Sequence, residues 1–265
     1  MTGERNYPYY PKNAGEIIGW CRQNGIIPVP CQPKSKAPLG IISRKGVYRG
    51  NPPTKRELLG IYDRRFFGKT IQDSFHVPSQ KRISIINSFW NSRDTAKMNE
   101  KSISISIDMN YPTDDGYTIA CIDIDSDDHI LLADEKTFSD CPVIGGKKGG
   151  KIFYKLNREN ALPSPIIQYT THENLRLIGN EQKPALIELF TGHKHALIYG
   201  EHPDSTAEKP LNYFFKREFD SLVPVITWSE TTRCLNKYAD ECGLVIRKTA
   251  EVIPYDQTNL SEWDE

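Results

Sequence analysis

A chain of 265 residues, 38% apolar and 26% charged, has room for one large domain or two modest ones, and this ordinary globular composition excludes disorder throughout. Lys plus Arg and Asp plus Glu both number 34, so the formal net charge is zero, and no run approaches the roughly 20 apolar residues of a membrane helix. The opening "MTGERNYPYYPK" lacks the apolar core of a signal peptide, and the six cysteines form no CxxC pair, so a soluble, cytoplasmic protein without a disulfide or zinc framework is expected.

Ala14, Ile17, Ile18 and Cys21 recur at helical spacing and Gly25 closes the run, which predicts a helix followed by an extended "IIPVPC". The loop "QPKSKAPLG" comes next. Thr54 with Glu57 makes a capping box for a second helix through about Arg65, and the segment from there to about 100 has no assignable pattern. Residues 102–109, "SISISIDM", alternate in strand period. After the turn "YPTDDG", "YTIACIDI" reads as a second, more buried strand, and the two are expected to pair as a hairpin. Ser126, Asp127 and Asp128 look like the opening of a helix to about Phe138. Short strands are expected at "KIFYKL", "NLRLIG", "ALIELF" and "HALIYG", then a final helix from Ser229 to Cys242 that stops at Gly243.

Zero net charge hides a segregation. Residues 34–82 carry twelve Lys and Arg against three acids, whereas residues 108–140 carry ten acids and one Lys. Each block alone reads as a solvated surface. Side by side they suit a protein that handles nucleic acid, which needs cations for phosphates and carboxylates for metals.

In "CIDID", residues two apart share a strand face, so Asp123 and Asp125 stand together while Ile122 and Ile124 enter the core opposite. Two carboxylates about 7 Å apart repel unless a cation bridges them, and Mg2+ or Mn2+ is the natural bridge for oxygen ligands. A pair of acids capping the next helix is the alternative. An EF-hand is not matched, because Asp128 stands where the loop needs Gly and Asp134 where it needs a bidentate Glu.

"VIGGKKGGKIFYKL" follows, with four glycines and Lys147, Lys148 and Lys151. Gly145 to Lys151 fits the start of a P-loop, but Ile152 replaces the required Ser or Thr and a strand follows in place of a helix. Triphosphate binding by another geometry and a plain basic hairpin loop both fit these residues. Farther on, Glu188 interrupts an apolar strand with Ile187 and Leu189 on the other face, and is either a surface acid or a third carboxylate aimed at the Asp pair. His193, His195 and His202 come after it, the last in the turn "GEHP".

These segments, in this order and with "GIIPVPCQPKSKAPLG" upstream, resemble the primase-polymerase domains of the archaeo-eukaryotic primase superfamily, found in plasmid, phage and other mobile-element replication proteins. The resemblance covers roughly residues 14–215. It rests on Lys36 to Leu39, Asp123 and Asp125, Gly149 to Tyr154, Glu188, and Gly200 to Pro203. One departure stands out: much of the family ends the Gly-rich motif in a His that contacts nucleotide phosphate, and this chain has Lys151 there.

The resemblance implies an α+β fold, with an RRM-like, mainly antiparallel catalytic sheet flanked by helices and an N-terminal αβ unit. Residues 1–205 would form the catalytic domain and 206–265 accessory helices and an acidic tail or linker. Asp123, Asp125 and Glu188 would be catalytic and hold Mg2+ or Mn2+. Lys36, Lys148, Lys151 and His202 would bind nucleotide, and Arg44, Lys45, Arg49, Arg64 and Arg65 would follow nucleic acid. The implied activity is that of a DNA primase or polymerase in a bacterial or archaeal cell. Its partners would be a single-stranded DNA template, nucleoside triphosphates and a helicase module or protein. Two other classes stay open. A metal-dependent nuclease or rolling-circle initiator would use the same acids with His193, His195 and Tyr199, although "HKH" puts Lys194 where a hydrophobic residue belongs; a non-catalytic single-strand binding module would leave three acids repelling phosphate.

Overall fold

The computed structural model describes residues 7–35, 79–109, 113–156, 166–177, 185–191, 195–219 and 221–249. The helix expected at 54–65 lies outside them, as do Lys36, Arg44, Lys45, Arg49, Arg64, Arg65 and His193. In chain order the described elements begin with α1 (Ala14–Gln23), β1 (Pro28–Cys31), α2 (Ser79–Asn91), β2 (Ser104–Asp108) and β3 (Thr118–Ile124). Then come a 3-10 turn (Asp127–Asp134), β4 (Val143–Gly145), β5 (Gly150–Leu156), β6 (Ile166–Thr171) and α3 (His172–Arg176). The chain continues with β7 (Ile187–Thr191), β8 (His195–Tyr199), β9 (Phe214–Arg217), α4 (Trp228–Glu241) and β10 (Leu244–Thr249).

The fold is mixed α+β with antiparallel sheets flanked by helices. One sheet has three strands in the order β1-β2-β8, the other seven in the order β10-β6-β7-β3-β5-β4-β9, and all named pairs are antiparallel. β3 sits at the centre of the larger sheet between β5 and β7 because it is apolar on both faces. Ile119 and Cys121 join one core with α1, α2 and the three-stranded sheet. Ala120, Ile122 and Ile124 join a second core beneath α4 and the 3-10 turn. The larger sheet is thus the middle layer, and each fully buried Ile stabilises it by about 1.5–3 kcal/mol.

Local signals account for the helix ends. The Asn13 side chain accepts the Glu16 N–H and starts α1, and Thr227 with Glu230 forms a reciprocal capping box for α4.

Four expectations need correction. The hairpin between β2 and β3 does not form, because β2 pairs with β1 and β8 while β3 pairs with β5 and β7 in the other sheet. Alternation identifies a strand but not its partner. The helix expected to run to Phe138 is only the 3-10 turn ending at Asp134, although Ser126 caps it as expected. The described part of "NLRLIG", Asn174 to Leu177, is not a strand; α3 covers Asn174 to Arg176, and the strand is the preceding "IIQYTT". Residues past 205 are not accessory helices alone, since β9 and β10 form the two edges of the seven-stranded sheet. Among the described residues no helix is long and apolar enough to cross a membrane.

Candidate active site

On the β3 face that carries Ile119 and Cys121, the last apolar row is Phe153–Cys121–Phe190, contributed by β5, β3 and β7. Two residues along each strand the row becomes Lys151–Asp123–Glu188, and β6 extends it with Gln168 opposite Glu188. The strand period forces this change on one face while Ile152, Ile122 and Leu189 keep the other face in the second core. The first core therefore ends in a band of polar side chains on four neighbouring strands.

Within the band, Lys151 Nζ lies 3.2 Å from Asp123 Oδ1, with 18% and 23% of the two side chains exposed. Burial disfavours the Lys151 ammonium, but the Asp123 carboxylate, together with Tyr213 and Cys121, outweighs that penalty and holds its pKa above the ordinary lysine value. Gln168 Nε2 donates to Glu188 Oε1 at 3.1 Å. Asp125 follows the strand end, its N–H donating to the Leu186 carbonyl, and Lys148 Nζ stands 4.0 Å from its Oδ1.

β4 and β5 form the Gly-rich hairpin, with Ile144 opposite Lys151. Gly149 has φ +54°, and a Cβ there would lie 1.8 Å from the Ile124 carbonyl oxygen. Only glycine fits. Its N–H donates to Asp127 Oδ1 at 2.7 Å, so the hairpin tip is tied to a side chain just past Asp123 and Asp125.

The "GEHP" turn closes the site. Gly200 has φ +109° and passes so near Ser104 that a Cβ would sit 2.5 Å from its Oγ. The turn is held by His202 N–H to the Leu211 carbonyl and Ser205 N–H to the His202 carbonyl. His202 Nδ1 accepts the Asp204 N–H at 3.1 Å, which puts the proton of the neutral ring on Nε2. The His202 ring is 5.5 Å from that of Tyr213, whose centroid is 5.7 Å from Lys151 Nζ. Burial pushes the Tyr213 phenol up against the opposing influence of Lys151. Lys34, two residues before Lys36, donates to the Ser205 carbonyl at 3.3 Å and pairs with Glu201 at 3.6 Å. Lys34 thus joins the end of the β1 segment to the His202 turn.

The expected residues Asp123, Asp125, Glu188, Lys148 and Lys151 are therefore neighbours, and Tyr213 links His202 to Lys151. Sequence reasoning does not reach Tyr213, Gln168 or Asp127 as site residues. Gln168 sits at a polar position of "IIQYTT", but its importance depends on which strand lies beside it. Tyr213, in "NYFF", carries no local signal at all.

The alternative nucleophile Tyr199 is 1% exposed, and burial pushes its phenol strongly up, which argues against attack by it. His195 lies in the three-stranded sheet with its Nδ1 3.3 Å from Ser106 Oγ, away from the acidic row.

Among the described residues no three His, Cys, Asp or Glu side chains are gathered closely enough to enclose an ion. The donor chemistry of Asp123, Asp125 and Glu188 nonetheless fits a hard divalent cation, being all carboxylate oxygen and already attracting an ammonium group to Asp123. No protein-family model matches the chain, and no curated protein matches it closely enough to be a relative.

Proposed function

We propose that this chain carries out template-directed nucleotidyl transfer as a DNA primase or polymerase of a mobile element or phage, on a primase-polymerase fold with an RRM-like sheet. The observation that carries this reading is the cross-strand row Lys151–Asp123–Glu188 at the edge of a core, bordered by a glycine-pinned basic hairpin and the His202 turn. Asp123, Asp125 and Glu188 would hold Mg2+ or Mn2+, which when bound lowers the pKa of an attacking hydroxyl and neutralises triphosphate charge.

The chain's own groups do the rest. Gln168 fixes the Glu188 carboxylate through its amide N–H. Lys151 and Lys148 balance the β and γ phosphates as charge grows on the pyrophosphate leaving group. His202 presents Nε2–H as a donor toward phosphate, and the Tyr213 ring holds its position. Lys36 guides triphosphate or template, while Arg44, Lys45, Arg49, Arg64 and Arg65 track the phosphates of a single strand.

Incorporation of labelled ATP or dATP on a single-stranded template, with and without primer and with Mn2+ present, tests this function. Incorporation that needs both template and metal supports it. Its absence under all these conditions contradicts it.

A further inference from the structure

We propose that Lys148 and Lys151 are resident counter-ions that make divalent-metal binding and triphosphate binding mutually dependent, an inference that rests on the nucleotidyl-transfer reading. Lys151 Nζ stands 3.2 Å from Asp123 and Lys148 Nζ 4.0 Å from Asp125, so two of the three carboxylates meant for a cation already face one. Both lysines belong to one hairpin. The hairpin tip is anchored, because Gly149 lies close against the Ile124 carbonyl and its N–H is bound by Asp127. The flexible lysine side chains are what the anchored tip leaves free to swing.

A metal ion entering alone meets a largely neutralised site and must displace a partly buried ammonium, leaving that charge without its carboxylate. Three carboxylates and two ammonium groups leave one net negative charge. Two divalent cations together with a fully ionised triphosphate add nothing to it, so this combination can enter while each lysine passes from carboxylate to phosphate. The Tyr213 ring, 5.7 Å from Lys151 Nζ, keeps a π face within reach of the ammonium during the exchange. Coupling of this kind is reciprocal: metal strengthens triphosphate binding by the factor with which triphosphate strengthens metal binding.

The test is Mn2+ binding to the full chain without nucleotide, read from the electron paramagnetic resonance signal of the free aquo ion, for the wild type, Lys151→Met, Lys148→Met and Asp123→Asn. Binding of a non-hydrolysable nucleoside triphosphate is then compared at zero and saturating Mn2+. Expected are metal affinity raised by about tenfold in Lys151→Met, a smaller rise in Lys148→Met, and a reduced gain in nucleotide affinity on adding metal. Equal Mn2+ affinity in the wild type and both lysine variants, with binding lost in Asp123→Asn, overturns the exchange and leaves the nucleotidyl-transfer reading standing. Absence of Mn2+ binding in every protein overturns both. Should Lys151→Met fail to fold, the half-exposed Lys148 decides the question by the same comparison.

Discussion

Lys151 faces Asp123 directly across β5 and β3, and its ammonium approaches the carboxylate to 3.2 Å. Lys151→Ala removes the cation next to the developing charge, so turnover should fall by about tenfold or more and the Michaelis constant for nucleotide should rise. The raised Lys151 pKa means its ion pair contributes to stability fully below the ordinary lysine value of about 10.4 and loses that contribution as pH rises through the higher folded value. A free His is charged only near or below about pH 6.5, and one beside Asp123 or phosphate gains charge as pH falls, so recovery by Lys151→His should be better at pH 6 than at pH 8 after correction for the wild-type profile. Steady-state kinetics unchanged in both variants would remove Lys151 from the site.

Gly149 offers a test of the hairpin itself. Gly149→Ala adds a Cβ where the Ile124 carbonyl already is and disfavours the left-handed conformation this position holds, so the loop must move. Denaturant unfolding should register a loss of about 2 kcal/mol or more, and activity should fall further than stability does. A variant with wild-type midpoint and activity would show that the tip is not fixed.

Much of the geometry of this candidate site is legible in the sequence alone. The period-two pattern of "CIDID" and of "ALIELF" sets Asp123 and Glu188 opposite the core, because Asp123 lies between buried Ile122 and Ile124 and Glu188 between buried Ile187 and Leu189, and Asp125 follows two residues after Asp123. Ser126 is legible as a cap because its bond to the Asp128 N–H is local, although the element it opens is a short 3-10 turn, while the caps at Asn13 and Thr227 are equally local and come from the structure. What the pattern hides depends on long-range pairing. β2 and β3 are adjacent in sequence yet lie in different sheets, and Gln168 and Tyr213 reach the site only through strand neighbours that no local pattern specifies. α2 escapes a sequence reading because "SQKRISIINSFWN" also satisfies short apolar runs of strand type, and its Phe89 and Trp90 are buried by tertiary packing.

A half-buried ion pair should give the molecule an acid-sensitive element. Lys155, 6% exposed on β5, donates to Asp115 Oδ2 at 2.7 Å. Desolvation raises the Asp115 pKa, but hydrogen bonds from Lys155 and Thr113 and the Lys155 charge outweigh it, so the folded value is depressed. The contribution is therefore present above the ordinary carboxyl value of about 3.9 and is lost as pH falls through the lower folded value. Asp115→Asn should destabilise the protein at pH 7 and flatten its stability profile below about pH 4. Parallel wild-type and variant profiles would rule the pair out as the cause.

Single-strand binding should depend steeply on salt despite the zero net charge, since twelve cations crowd into residues 34–82. Reversing Arg64 and Arg65 to Glu should weaken binding and reduce the slope of log affinity against log salt by roughly 0.7 for each phosphate that is no longer neutralised. Affinity that stays level from 50 to about 200 mM salt is the opposing result.

The most direct measurement is primer extension and de novo synthesis on a single-stranded template with Mn2+, comparing wild type with Asp123→Ala, Asp125→Ala and Glu188→Ala, each checked for folding and single-strand binding. Expected are template-dependent incorporation by the wild type, loss of about 100-fold or more in each variant, and nearly unchanged folding and strand affinity in all three. Incorporation by Glu188→Ala at the wild-type rate, or no incorporation by the wild type, would contradict the proposed mechanism.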